Sequence, residues 1–460
     1  LVAPVGAADK STQDLKFEQI DETVSSKFSQ SQLNAADEET ADYATDDIVR
    51  VSIVLENAST IEKFGSAKLS SSAVAYRNSL KSEQQSITQR INAKLDTSLD
   101  VVWNLTLAAN IISANVRYDQ IGKIESVRGV ASVLIENRYE PMVVDQAEID
   151  DPNMATSSAQ IGSGTAWAAG YTGAGSKIAI IDTGTDTDHQ SFSEEGYLHA
   201  LALNAQAAGE DLDSYLAGLH LLDAAEIQEK LPQLNIYATL QGKNYTASDL
   251  YRTEKLPFGF NYIDKSLDIT HDNDSRSEHG SHVAGIAAAN RFIPDGNGGF
   301  TNALESVKTQ GVAPDAQIIV MQVFSAGGGA GWDTIMAGLE DCVRLDVDAC
   351  NLSLGAAGGF TTGDMSKTLE LFESTDIEVL IAAGNETNAA YQNRTGWNLS
   401  RSGNPDDGVV GTPSTLSAAL SVASIDNDGA ESLYFTVNGR TIGYNDTATT
   451  NATKFLSNFK

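Results

Sequence analysis

Short and almost entirely apolar segments alternate with helix-like segments through the second half of the chain. The strand-like segments are Lys177–Asp182, Gln317–Phe324, Asp348–Leu354, Ile377–Ala383 and Ala419–Ile425, and the helix-like segments are His279–Asn290, Trp332–Leu345 and Met365–Ser374. Strands that are apolar along their whole length are buried on both faces, which is typical of a parallel sheet covered by helices on both sides. The pattern therefore predicts an α/β fold built on a mostly parallel sheet.

Two of these segments carry polar side chains at their ends. The strand Lys177–Asp182 ends in a carboxylate and is followed by Thr183 and Gly184. The stretch HGSHVAGIAAAN begins with His279 and continues with Ala and Gly residues, which allow a helix to pack closely. Strands that end in Asp-Thr-Gly are common in α/β proteins, so the first segment alone says little. The two together, in this order, predict a carboxylate–imidazole pair.

A third segment, DIEVLIAAGN, is another apolar strand that runs into Gly384 and Asn385. Considered alone, Asn385 would be a turn residue after a buried strand. The three segments together resemble the Asp, His and Asn blocks of the subtilisin-like serine proteases. In that family the Asp orients the His, the His takes the proton of a nucleophilic serine, and the Asn amide stabilises the oxyanion. The resemblance therefore implies that Asp182, His279 and Asn385 are catalytic residues of an endopeptidase that works through an acyl-enzyme.

Two further segments are similar to the strands that line the substrate cleft of this family. They are NLSLG, residues 351–355, and MQVFSAGGGAGW, residues 321–332. A glycine run by itself would be interpreted as a flexible loop, but glycines at a cleft also leave room for an extended peptide to add as a strand. The resemblance implies that the substrate-binding residues are Gly328, Gly329, Ala330, Ser353, Leu354 and Gly355.

The 460 residues contain no Gly-Thr-Ser-Met-Ala block, in which the family carries its nucleophile. The most similar string, Gly411-Thr412-Pro413-Ser414, has a proline where the backbone N–H beside the serine is needed, so Ser414 is not a candidate nucleophile. Either the chain is the N-terminal portion of a longer protease, or it is a catalytically inactive relative that binds peptides. The hairpin-like stretch Leu433–Asn445 favours the first interpretation. It resembles the opening strands of the protease-associated domain that Gram-positive cell-envelope proteinases insert between the Asn and Ser blocks, and residues 426–460 are predicted to begin such a domain.

The N-terminal third differs in composition and pattern from the rest. Residues 1–45 are rich in Ser, Gln, Asp, Glu and Ala and are predicted to be a disordered leader. Residues 46–142 show strand-like and helix-like segments in the order βαββαβ, which predicts a small ferredoxin-like α+β sheet with helices on one face. By order and position this region resembles the inhibitory pro-domain of subtilisin-like zymogens. We therefore expect an intramolecular inhibitor whose end, Asn137–Val144, enters the cleft. The catalytic part would then span residues 143–425, with a helical insertion at about 198–254.

Composition limits the partners of the chain. It has 62 Asp and Glu against 30 Lys and Arg, for a net charge of −32, and such a field repels nucleic acids and anionic membranes. No apolar run approaches the roughly 18 residues of a membrane span, and two cysteines do not make a disulfide scaffold. We expect a secreted or cell-surface protein that acts on proteins or peptides and requires no cofactor. A structural calcium ion is compatible with Asp182, Asp186 and Asp188, although solvated loop acids are the simpler interpretation.

Overall fold

The computed structural model describes residues 43–141, 154–270, 278–325, 328–356, 365–385, 410–425 and 433–444. The strands are β1 Ile48–Leu55, β2 Asp100–Leu105, β3 Ile111–Arg117, β4 Val130–Ile135, β5 Arg138–Pro141, β6 Lys177–Asp182, β7 Phe258–Asn261, β8 Phe292–Pro294, β9 Phe300–Asn302, β10 Gln317–Gln322, β11 Ala330–Gly331, β12 Ala349–Leu352, β13 Leu354–Gly355, β14 Glu378–Ala382, β15 Leu420–Val422, β16 Leu433–Val437 and β17 Arg440–Tyr444.

The α-helices are α1 Thr60–Phe64, α2 Ser71–Leu95, α3 Ile121–Glu125, α4 Met154–Gln160, α5 Ser163–Ala168, α6 Glu194–Ala208, α7 Leu212–Leu219, α8 Ala224–Lys230, α9 Tyr237–Lys243, α10 Ala247–Leu250, α11 Glu278–Ala288, α12 Ala303–Ser306 and α13 Trp332–Arg344. Met365–Ser374, which the sequence pattern predicted as a helix, forms a 3₁₀ helix. Apolar residues three apart, such as Leu369 and Phe372, fit both helical periods, and the pattern does not separate them.

A six-stranded sheet in the order β15-β14-β12-β6-β10-β7 forms the centre of the larger part, and all its neighbouring strands are parallel. Every residue of β10 is buried, as expected for a strand covered on both faces. The predicted α/β fold is therefore confirmed. Because the strands are parallel, the carboxyl ends of β6, β12 and β14 lie at one edge, which is where α/β proteins place their ligand sites.

The N-terminal sheet has the order β2-β3-β1-β4 with antiparallel neighbours, which is the ferredoxin-like arrangement expected from the βαββαβ order. One face of this sheet packs on its own helices: Val51 and Ile53 of β1 and Ile112 of β3 join Ile87 and Ile91 of α2 in one apolar core. These residues alternate along the strands with polar ones, because successive strand side chains point to opposite faces. The other face carries polar residues such as Ser52, and also Trp103, Leu105 and Ile111, which join the core of the larger part.

Two further regions contain described elements. Helices α6–α10 occupy the stretch predicted as a helical insertion. Strands β16 and β17 form the expected hairpin, whose turn residues Asn438 and Gly439 have φ values of 50° and 76°, as a type I′ turn requires. Most of the predicted leader, the stretch 142–153 and the rest of 426–460 lie outside the described residues. Among those that are described, none of the helices combines the length and the apolar composition needed to cross a lipid bilayer.

Candidate active site

Asp182 and His279 form a hydrogen-bonded pair at the carboxyl edge of the parallel sheet. Asp182 is the last residue of β6 and is fully buried, and His279 lies in the first turn of α11. The distance between Asp182 Oδ1 and His279 Nδ1 is 2.7 Å, and the same oxygen accepts the Thr183 N–H at 2.7 Å. A buried carboxylate on Nδ1 orients the imidazole and holds the proton on that nitrogen. The two residues singled out in the sequence are therefore brought together.

Two glycines explain why β6 and α11 can approach so closely. Gly184 has a φ of 109°, and a side chain there would overlap the carbonyl oxygen of Ile269. A side chain at Gly280 would overlap the carbonyl oxygen of Gly184. The Gly280 N–H donates to Thr183 Oγ1 at 3.0 Å, which fastens the start of the helix to the turn after the strand. The glycines beside Asp182 and His279 are thus required by the same close contact that pairs them.

His282 is the second histidine of α11 and lies three residues after His279. Burial, followed by the neighbouring charge of His279, lowers the pKa of His282, and the charge of Asp182 acts in the opposite direction. The neutral form of His282 is therefore favoured.

A cavity of about 240 Å³ brings His279 together with residues from two other strand ends. It is lined by His279, Val283, Ser353, Ala382, Ala383, Gly384, Asn385, Val422 and Ser424. Asn385 follows β14 and is exposed, and the preceding Gly384 has a φ of 110° that turns the chain toward the cavity. His279 and Asn385 therefore line one open space at the edge of the sheet.

Strand β5 lies between the two segments that the sequence marked as cleft walls. Tyr139 pairs with Ala330 on one side, and on the other Glu140 pairs with Gly355 and Pro141 with Leu354, all antiparallel. Three of the six expected cleft residues thus contact an extended strand through their backbone, in the manner of β-strand addition.

The other three cleft candidates lie close by with different contacts. Ser353 lines the cavity beside His279. Gly329 has a φ of 59°, and a side chain there would overlap the guanidinium of Arg138. Gly328 forms a turn in which its N–H donates to Ser325 O at 2.9 Å. The glycines thus shape the approach to β11, whereas Ala330 makes the pairing.

The side chain of Tyr139 on β5 is buried against α13. Its side chain is 1% exposed, and its ring centroid lies 5.6 Å from that of Trp332 at the start of α13. The strand is therefore anchored by an aromatic contact as well as by its backbone.

Helix α13 also binds the N-terminal sheet through residues that the sequence did not reveal. One oxygen of Glu340 accepts the N–H groups of three consecutive residues between β2 and β3, namely Leu107 at 3.1 Å, Ala108 at 2.7 Å and Ala109 at 3.3 Å. Asp333 pairs with Arg50 of β1 at 2.9 Å. Asp333 and Glu340 are seven residues apart and so share one helix face. Two acids at this spacing on a helix that also carries many apolar residues are the signal that could have been noticed.

Ser414 is buried, and its hydroxyl is hydrogen-bonded to two neighbouring strands. It is 3% exposed, its Oγ donates to Ile381 O at 3.2 Å, and it lies 2.7 Å from Ser421 Oγ. Ser414 thus joins the ends of two neighbouring strands, which agrees with its exclusion as a nucleophile.

The acids considered as calcium ligands contact one another or His279. A hydrogen bond with Asp188, followed by burial, raises the pKa of Asp186. Within the ranges that the structure describes, His, Cys, Asp and Glu side chains form no group of three or more that could hold a metal ion. A calcium site at Asp182, Asp186 and Asp188 stays a prediction.

Comparison with known proteins identifies the family. Residues 173–458 match the model of the subtilase family, and this match covers more than half of the chain. The chain therefore belongs to the subtilase family. The resemblance to the subtilisin-like serine proteases is confirmed at the level of the family.

Three relatives show the range of similarity. A PII-type proteinase of Lacticaseibacillus paracasei is 27% identical over 323 residues, which are 69% of this chain and 14% of that protein. The minor extracellular protease Vpr of Bacillus subtilis is 24% identical over 339 residues, or 71% of this chain and 31% of that protein. A C5a peptidase of Streptococcus pyogenes serotype M3 is 25% identical over 260 residues, or 56% and 18%. The chain thus spans less than a third of the length of these curated relatives.

Proposed function

We propose that this chain is the N-terminal portion of a secreted or cell-surface subtilisin-like serine endopeptidase zymogen that hydrolyses peptide bonds in proteins. Membership of the subtilase family and the Asp182–His279 pair support the chemistry. The similarity to proteinases, one of which is described as extracellular, supports the location. The nucleophilic serine would come from sequence outside these 460 residues.

In the proposed reaction His279 acts first as a general base and then as a general acid. It removes the proton of the serine that attacks the scissile carbonyl, and it returns that proton to the leaving amine. Asp182 holds the imidazole in the required tautomer through its 2.7 Å contact with Nδ1 and stabilises the imidazolium that forms. Asn385 would donate its side-chain amide to the oxyanion from across the cavity.

The observation that carries the proposal is the position of β5. It fills the place between β11 and β13 where an extended peptide would lie. Along β5 the pairing proceeds from Gly355 to Leu354, and the next residue in that direction, Ser353, lines the cavity with His279. The strand therefore runs toward the proposed catalytic residues. Residues 46–142 would act as an inhibitory pro-domain whose end lies in the cleft as a product-like strand.

Inhibition in trans tests this proposal directly. Residues 46–142 would be added to the mature full-length protease, and inhibition competitive with a peptide substrate is expected at micromolar concentration or below. The matched control is a segment that ends at Glu136, because it keeps the sheet but lacks β5. Noncompetitive inhibition, or equal inhibition by both segments, would show that β5 does not occupy the substrate cleft. Absence of turnover by the full-length protein would favour an inactive peptide-binding relative instead.

A further inference from the structure

Two carboxyl groups meet where the end of the N-terminal sheet contacts α13. Glu136 lies between β4 and β5, and Asp333 is the second residue of α13. The Asp333 N–H donates to Glu136 Oε2 at 3.3 Å, and the hydroxyl of Ser52 on β1 donates to Glu136 Oε1. The Asp333 side chain is fully buried and accepts from the hydroxyl of Ser113 on β3. Glu136 is therefore attached to both parts of the molecule, two residues before the strand that fills the cleft.

Within the described part of the chain, only Asp333 of the two acids is paired with a positively charged side chain, that of Arg50. Arg50 pairs with Asp333 at 2.9 Å, and its Nε donates to Asn115. Glu136, in contrast, is held by neutral hydroxyl and backbone donors. An ionised Glu136 would add a second negative charge beside Asp333 without a cation of its own.

The other charged groups around the contact are engaged elsewhere. Lys265 lies with its Nζ over the Trp103 ring and donates to Val102 O, and burial followed by the charge of Arg50 lowers its pKa. Asp100 of β2 accepts from Asn115. On β5, Arg138 pairs with Glu140 at 2.7 Å, and both side chains are exposed. Among the described residues, the charged groups named here on β1, β2, β5 and the loop after β7 bind other partners, and the neutral form of Glu136 is favoured beside Asp333.

We propose that Glu136 and Asp333 form a pH-sensitive latch, which holds β5 in the cleft while Glu136 is protonated and loosens when Glu136 ionises. The latch rests on the proposed function, because it gives the proposed pro-domain a means of release. The contact between Glu136 and Asp333 also makes the docking of β5 depend on pH, whether or not the protein is catalytically active.

Burial, followed by the charge of Asp333, raises the pKa of Glu136 to about 8, and the hydrogen bonds from Ser52 and the backbone of α13 only partly oppose this shift. In an undocked, solvated segment a glutamate titrates near about 4.3. The docked state therefore binds a proton that the undocked state releases between these two values. Docking is strongest below the lower value and weakens as pH rises through the docked pKa, by up to roughly tenfold per pH unit.

Hydrogen–deuterium exchange of the intact chain tests the latch. The backbone N–H groups of Tyr139 and Glu140 would be followed between pH 5.5 and 8.5, with each rate corrected for the intrinsic exchange rate at that pH. In the wild-type chain the protection of β5 should fall by up to about tenfold per pH unit and level off above about pH 8. In Glu136→Gln, which keeps the shape of the protonated acid, protection should stay high and nearly constant.

Two variants complete the design. Glu140→Gln removes an exposed carboxylate four residues along the chain and should keep the wild-type pH dependence. Asp333→Asn removes the neighbouring charge, lowers the pKa of Glu136, and should move the fall in protection to lower pH, which provides a second test should Glu136→Gln not fold.

The outcomes separate the latch from the proposed function. Equal pH slopes in wild type and Glu136→Gln would overturn the latch, and so would an unshifted profile in Asp333→Asn. If inhibition in trans succeeds while exchange is independent of pH, the latch is wrong and the pro-domain stands. If exchange follows the expected pH dependence but the segment does not inhibit, the latch stands as a docking device and the inhibitory role is wrong.

Discussion

The two sheets of this protein bury their strands in different ways. In the parallel sheet β10 is buried on both faces, and all six of its residues belong to the interior. In the N-terminal sheet β1 alternates: Val51 and Ile53 enter the sheet's own core, whereas Arg50 and Ser52 point toward α13 and contact Asp333 and Glu136. The first sheet has no core apart from the layers that cover it. The second has a separate core of its own on one face, and its other face adds Trp103, Leu105 and Ile111 to the core of the larger part.

This difference indicates how the proposed pro-domain would be both specific and removable. The contact between the N-terminal sheet and α13 contains several polar groups that have partners across it, together with apolar side chains. Glu340 with its three N–H donors is the clearest case. Removing one partner of such a buried contact is costly, but water can replace every partner once the surfaces separate. Changes in the parallel-sheet part should therefore affect catalysis, and changes along α13 should affect docking.

The largest effect is expected at His279. In the full-length protein, His279→Ala should abolish maturation and lower kcat/KM by at least about 10⁴-fold, because the serine loses its base. Turnover of a peptide substrate would measure the activity, and the size of the protein on a gel would show whether it has matured. His220→Asn is the control, because His220 has a φ of 52° that asparagine tolerates and lies in the helical insertion. Normal maturation of His279→Ala would remove this residue from the mechanism.

A smaller and more selective effect is expected at Asn385. Asn385→Ala in the mature full-length enzyme should lower kcat by about 100-fold or more and leave KM nearly unchanged, because an oxyanion donor acts mainly in the transition state. Steady-state kinetics with one peptide substrate separate the two parameters. A rise in KM at constant kcat would instead make Asn385 a ground-state binding residue.

The parallel-sheet part could be predicted well from the sequence, because close backbone contacts require glycines at particular positions. The Asp182–His279 pair requires Gly184 and Gly280, so the pair and its glycines occur together as short motifs. The contacts along α13 require no such recognisable residue pattern. Glu136 and Asp333 are in contact although 197 positions separate them in the sequence, and Glu340 is more than 230 positions from its backbone partners. A backbone N–H belongs to every residue except proline, so a carboxylate that binds such groups has no recognisable partner in the sequence.

The smallest effect is expected at Glu340 and should appear in docking alone. Glu340→Gln keeps an acceptor for the N–H groups of Leu107–Ala109 but removes the charge that strengthens those bonds. The loss of about 1–2 kcal/mol should raise the inhibition constant of the separate 46–142 segment by roughly tenfold. The kcat and KM of the mature enzyme should not change, since Glu340 does not line the cavity that holds His279 and Asn385. Glu373→Gln, at an exposed glutamate that accepts from Ser417, is the matched control. A fall in kcat for Glu340→Gln would mean that α13 couples the two parts of the molecule, and that docking and catalysis are not separable as the two sheets suggest.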